Sequence, residues 1–141
     1  MANIIPDAFK SELLSGTHNF ANGGNTFKIA LYTDISGYST SSTAYSTTNE
    51  VSSSGTNYSA GGNALDSQAV SVASNTALVD FADEVFSSVT LSAVGAVIYN
   101  STNSDKLVVV LDFGGTKTAT NGDFTIQFPA AGASTAIIRI A

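Results

Sequence analysis

Lys106-Leu107-Val108-Val109-Val110-Leu111-Asp112-Phe113 is apolar on both of its alternating faces, whereas Asp123-Phe124-Thr125-Ile126-Gln127-Phe128 alternates strictly, with the phenylalanines and isoleucine on one side. The first pattern predicts a strand covered on both faces and central in its sheet. The second predicts a strand with one face in a core and one in water. Residues 114–122, with Gly114-Gly115 and Gly122, read as a flexible turn between them. Working back, 100–105 reads as a polar hairpin turn. Residues 89–99 form a long apolar strand in which Gly95 signals a bulge or a close backbone approach. Residues 77–81 and 68–73 read as strands around the tight turn Ser74-Asn75-Thr76. Thr26-Phe27-Lys28-Ile29-Ala30-Leu31-Tyr32-Thr33 reads as a strand with Phe27, Ile29 and Leu31 on one face, preceded by a turn at 22–25. Residues 135–140 close the chain as a strand.

One segment is helical. Pro6 suits a first turn, Asp7 complements the helix dipole, Phe9 and Leu13 share a face with Leu14 beside them, and Gly16 stands at the C-cap position. Two to three turns cannot stand alone, so this helix needs a surface to dock on. With about seven short strands and no crossover helices, the fold expected is a single all-β domain over 1–141. It is an antiparallel β-sandwich, jelly-roll or immunoglobulin-like, with one short N-terminal helix. Residues 1–20 form a helical anchor segment. Residues 34–63 are a Ser/Thr-rich excursion too long for a routine loop, and its tyrosines would pack on the sandwich or on a partner.

Composition narrows the function. Of 141 residues only 11% are charged, against about a quarter in ordinary domains, and the net charge is −6. A polar but weakly charged surface suits contact with other proteins, because few charges must be desolvated. The five basic residues are scattered, which argues against nucleic acid. No basic amphipathic stretch or long apolar run points to a membrane. There is no cysteine, so the fold owes nothing to disulfides. The start of the chain lacks a signal-peptide pattern, which implies synthesis and retention in the cytoplasm of the cell that makes it.

Catalytic signals are missing. His18 is the only histidine and reads as a turn or cap residue. No serine lies in a nucleophile-elbow pattern. Asp80, Asp83 and Glu84 are the best carboxylate cluster but lack an EF-hand spacing. Gly114-Gly115-Thr116-Lys117-Thr118 lacks the spacing of a phosphate loop and reads as a hairpin turn. Asp112 stands in an apolar strand and would need a partner there, Lys28 or Arg139. The expectation is a non-enzyme with no cofactor and no metal.

Several stretches resemble small virion proteins of tailed bacteriophages. They are Phe9-Lys10-Ser11-Glu12-Leu13-Leu14-Ser15-Gly16-Thr17-His18-Asn19-Phe20 with 26–32, Thr47-Thr48-Asn49-Glu50-Val51, Tyr58-Ser59-Ala60-Gly61-Gly62, Val79-Asp80-Phe81-Ala82-Asp83, Ala96-Val97-Ile98-Tyr99-Asn100, and the end from Phe124 to Ile140. The resemblance covers nearly the whole chain. It implies a capsid decoration (cement) protein on the virion surface, assembled as a homotrimer that bridges subunits of the major capsid protein. A tail- or fibre-associated protein and a carbohydrate-binding surface module are the alternatives. Contact residues are expected in the N-terminal segment, at Ile4, Ile5, Phe9 and Leu13, and in the excursion, at Tyr38, Tyr45 and Tyr58, since tyrosine is enriched at interfaces.

Overall fold

The computed structural model describes residues 2–141; residue 1, the first of the anchor segment, lies outside them. The chain runs α1 (Asp7–Leu14), β1 (Phe27–Tyr32), β2 (Asn63–Ala64), β3 (Ala69–Ala73), β4 (Thr76–Asp80), β5 (Glu84–Asn100), β6 (Lys106–Ile126) and β7 (Ile138–Ile140). The strands form two antiparallel sheets, one in the order β2-β1-β5-β6 and one in the order β3-β4-β7. This is the expected all-β, sandwich-like fold with one short helix in front.

β1 shows why the larger sheet has a core on each side. Phe27, Ile29 and Leu31 point into the cluster shared with Val79, Phe81 and Ile138, which joins the two sheets. Ala30 and Tyr32 point the other way, into a second cluster with Ile35, Tyr38, Val97 and Tyr99. The excursion 34–63 therefore serves both faces of the larger sheet: Ile35, Tyr38 and Tyr45 pack on the outer face, while Val51 and Tyr58 join the core between the sheets. Its tyrosines pack on the chain's own sheet.

β5 and β6 are longer than the hydropathy pattern predicts, and the expected turn at 114–122 is not one. The chain continues through it as β6, with Ser92 paired to Thr118 and Val89 to Gly122. Gly95 pairs with Asp112 and Ala93 with Lys117, so residues 113–116 stand opposite Val94 alone. Gly114 and Gly115, at φ 75° and 157°, supply a wide bulge where a reversal was expected. Composition marks such residues as backbone irregularities but does not say which kind.

The run 106–113 is also not central. β6 is an edge strand, yet it is covered on both faces, with Leu107, Val108, Val109 and Val110 all buried. Its outer edge is satisfied locally. Ile4 and Val110 exchange backbone hydrogen bonds at 2.9 and 2.8 Å, Leu107 N–H donates to Thr43 O at 3.0 Å, and Asp112 N–H donates to Asn3 Oδ1 at 2.7 Å. Two remote segments thus close an edge that would otherwise be exposed.

Gly95 fulfils both expectations placed on it. The β5–β6 register shifts beside it, and a Cβ there would lie 2.5 Å from Leu111 O and 2.8 Å from the Ile35 side chain.

Candidate interaction surface

The helix ends as its sequence predicts. Thr17 N–H donates to Glu12 O and Gly16 N–H to Leu13 O, with Gly16 at φ 78°. This reversal carries His18 under the helix, between the rings of Phe9, Phe20 and Phe27. His18 is buried. Asn100 Oδ1 accepts the N–H groups of Thr102 and Asn103, which turns its amide nitrogen to His18 Nδ1 at 3.0 Å. The proton of the ring therefore sits on Nε2, which donates to Glu12 Oε2 at 2.8 Å. Glu12 Oε1 accepts from Lys106 Nζ at 3.0 Å. Burial works against the Glu12 carboxylate, but the hydrogen bonds from His18 and Lys106 outweigh it and hold its pKa below the usual value. The His18–Glu12–Lys106 bonds fasten the helix to the sheet.

Glu50 organises the excursion in the same way. Its Oε1 accepts from Tyr58 Oη at 2.7 Å and from Gly61 N–H at 2.6 Å, and its Oε2 accepts from Tyr45 Oη at 2.6 Å. Tyr58 Oη also accepts from Leu31 N–H, tying the group to β1. Tyr38 Oη donates to Tyr32 Oη, whose own proton goes to Ser46 O. Tyr99 Oη donates to Gly61 O, and its ring stacks on Tyr45 with centroids 4.5 Å apart. All five tyrosines of the chain have their hydroxyls engaged in these hydrogen bonds. Desolvation raises the pKa of each phenol, that of Tyr99 to about 12.

These networks show where the expected contact residues lie. Phe9, Tyr38 and Tyr58 are buried in the chain's own cores. Tyr45 is half-buried between Tyr99 and Glu50. Ile4 is half-buried in the bridge to Val110. Their apolar surface helps to hold the helix and the excursion in place. Ile5 is exposed, and Leu13 is half-buried in the wall of a groove. The carboxylate cluster dissolves likewise: Asp83 accepts Phe128 N–H at 2.8 Å and Glu84 accepts the amide of Asn63 at 2.8 Å. Among the described residues no three His, Asp or Glu side chains are grouped to hold a metal ion. Asp112 accepts Gly114 N–H across the bulge, which lowers its pKa, and Arg139 donates to Ala133 O. Neither Lys28 nor Arg139 is the partner expected for Asp112.

The apolar surface that is exposed lies elsewhere. Leu14 is 90% exposed, Val72 73%, Ile140 54% and Val70 53%. The pairs Val70–Val79–Ile138 and Val72–Ala77–Ile140 put Val70, Val72 and Ile140 on one face of the smaller sheet. That face enters the core at Val79 and Ile138 and runs out of it at Val72 and Ile140. Beside it a groove of about 340 Å³ is lined by Leu13, Phe20, Val70, Leu78 and Ile140. Alternation in 68–73 marks a strand, but it does not tell a side chain that enters the core from one that overhangs it.

A second, wider cleft of about 560 Å³ lies along β6, lined by Asn3, Asp112, Phe113, Lys117 and Phe124 among others. Among the described residues no helix is long and apolar enough to cross a membrane. Comparison with protein-family models, with curated proteins and with solved structures gives no match.

Proposed function

We propose that this chain is a non-enzymatic virion structural protein of a tailed bacteriophage, a decoration protein that binds the assembled capsid and bridges major capsid subunits. The observation that carries the reading is the contrast between inside and outside. Among the described residues every buried side-chain nitrogen and oxygen has a partner, while the surface combines few charges with exposed apolar side chains, Val70, Val72 and Ile140 together on the smaller sheet and Leu14 on the helix. Such a surface can be covered at small desolvation cost.

The mechanism is linkage. A protein that binds the closed shell and not free subunits stabilises the shell by its binding free energy. Seating several joined copies at once strengthens the attachment without tighter single contacts. The carbohydrate-binding alternative loses its tyrosines, which are engaged in the fold, and would have to use Phe113 in the cleft along β6.

Cryo-electron microscopy of virions containing the chain tests the proposal. Density for the domain repeated over the icosahedral shell supports decoration. Density confined to neck, tail or fibres rejects it in favour of a tail-associated role.

A further inference from the structure

We infer that β3 is a self-pairing edge, through which two copies of this chain associate about a twofold axis. Ala69-Val70-Ser71-Val72-Ala73 reads the same in both directions. It is also the free edge of its sheet, with Ala69, Val70, Ser71 and Val72 all exposed. Natural edge strands are blunted by charge, proline, bulges or cover. The edge of β6 is closed by residues 3–4 and 43. β3 has none of these devices.

The hydrogen-bonding polarity fits. Ser74 and Asn75, at φ 47° and 64°, make a two-residue hairpin turn, with Ala73 paired to Thr76. In such a hairpin the flanking pair exchanges its hydrogen bonds. Ala69, Ser71 and Ala73 thus turn their N–H and C=O groups toward β4, while Val70 and Val72 turn theirs outward. An antiparallel second copy centred on Ser71 sets Val70 opposite Val72 of that copy, and Val72 opposite its Val70, each pair exchanging both hydrogen bonds. Ser71 meets its own equivalent on the axis. The result is one sheet in the order β7-β4-β3-β3-β4-β7, in which the most exposed valine gains a branched apolar neighbour.

The palindrome is what selects a second copy over another protein. A twofold contact requires the same patch on both sides to be complementary to itself, and in antiparallel register this strand is. A trimer closed by pairing the edges of this sheet would join β3 of one copy to β7 of the next. β7 has three residues and carries Arg139, and that contact leaves the symmetry of β3 unused. The twofold pair therefore replaces the trimer implied by the phage resemblance. It stands on its own whether or not the chain decorates a shell.

Light scattering on the size-separated full-length chain is expected to give twice the mass of the 14.4 kDa chain. A monomer or a trimer across the concentration series overturns the inference. The register is tested by Ser71→Cys. Without any natural cysteine, this variant carries a single thiol. In the paired state it faces its equivalent at a Cα separation of about 4.5 Å, within disulfide range. Mild oxidation is expected to convert it to a covalent dimer at concentrations where Ser87→Cys, exposed on β5, stays uncrosslinked. Equal cross-linking of the two, or none at Ser71→Cys, overturns the pairing. Val70→Lys with Val72→Lys should give a monomer with an unchanged circular-dichroism spectrum. Mixing it with the chain carrying Val70→Glu and Val72→Glu should restore a one-to-one dimer; failure of the mixture to associate also counts against the register.

Discussion

Tyr58 Oη lies 2.7 Å from Glu50 Oε1, and through this contact the excursion 34–63 is fastened to the sheet. The same phenol oxygen accepts Leu31 N–H from β1. Glu50 in turn takes Tyr45 Oη and Gly61 N–H, so one carboxylate joins three points of a long polar segment. Glu50→Ala leaves these donors without their acceptor. It should lower stability by about 2–4 kcal/mol, read as a shift of the urea midpoint.

The tyrosines predict the response to alkali. Burial raises the pKa of all five above the ordinary value of 10.0. A raised folded pKa means the native state holds its proton when the unfolded state has lost it. The associated stability is present below pH 10 and is lost as pH rises from there through about 12, the value for Tyr99, and beyond. Ultraviolet titration should show no tyrosinate at pH 10 and then a cooperative appearance coinciding with loss of circular dichroism. Independent ionisation near pH 10 in the folded chain would contradict the burial of these phenols.

In acid the sign reverses at Glu12, whose pKa is lowered. Its contribution is present above the unfolded pKa, near the ordinary glutamate value of 4.5, and is lost as pH falls through the lower folded value. Glu12→Gln should flatten the dependence of stability on pH over that interval, measured by denaturation at a series of pH values. At neutral pH it should be less stable than the parent.

The helix offers a contrast of two apolar residues. Phe9 is buried against His18 and Phe20, and Phe9→Ala should cost about 3–5 kcal/mol. Leu14, on the exposed side, should tolerate Leu14→Asp within about 0.5 kcal/mol. Thermal melts of the two variants decide whether the helix faces its own sheet or is free to dock elsewhere.

Gly62 sits at φ 74°, and a Cβ there would overlap the carbonyl of Ile29. Gly62→Ala should cost more than about 3 kcal/mol and release the excursion. Gly55, at φ 72° with open space around it, pays only the left-handed backbone penalty of about 1–2 kcal/mol on substitution by alanine. Limited proteolysis within 34–63 should distinguish the two variants.

The sequence by itself determined the class of fold, the short helix with its glycine cap, the face assignments of β1 and the special role of Gly95. These follow from local physics: side-chain periodicity, the φ range open to glycine, and the proton inventory of each residue. Tertiary structure alone decided four things. Gly114-Gly115 became a bulge and not a turn, because β5 continued to supply a partner strand. The run 106–113 became an edge strand, because segments remote in sequence could close it. Tyr38 and Tyr45 went to the outer face of the larger sheet and Tyr58 to the core between the sheets, because each found apolar contact there and a hydrogen-bond partner in Tyr32, Ser46 or Glu50. Val70 and Val72 were left outside, because their strand overhangs the core that receives Val79 and Ile138. Periodicity says which residues share a face. What lies opposite that face depends on where the rest of the chain folds.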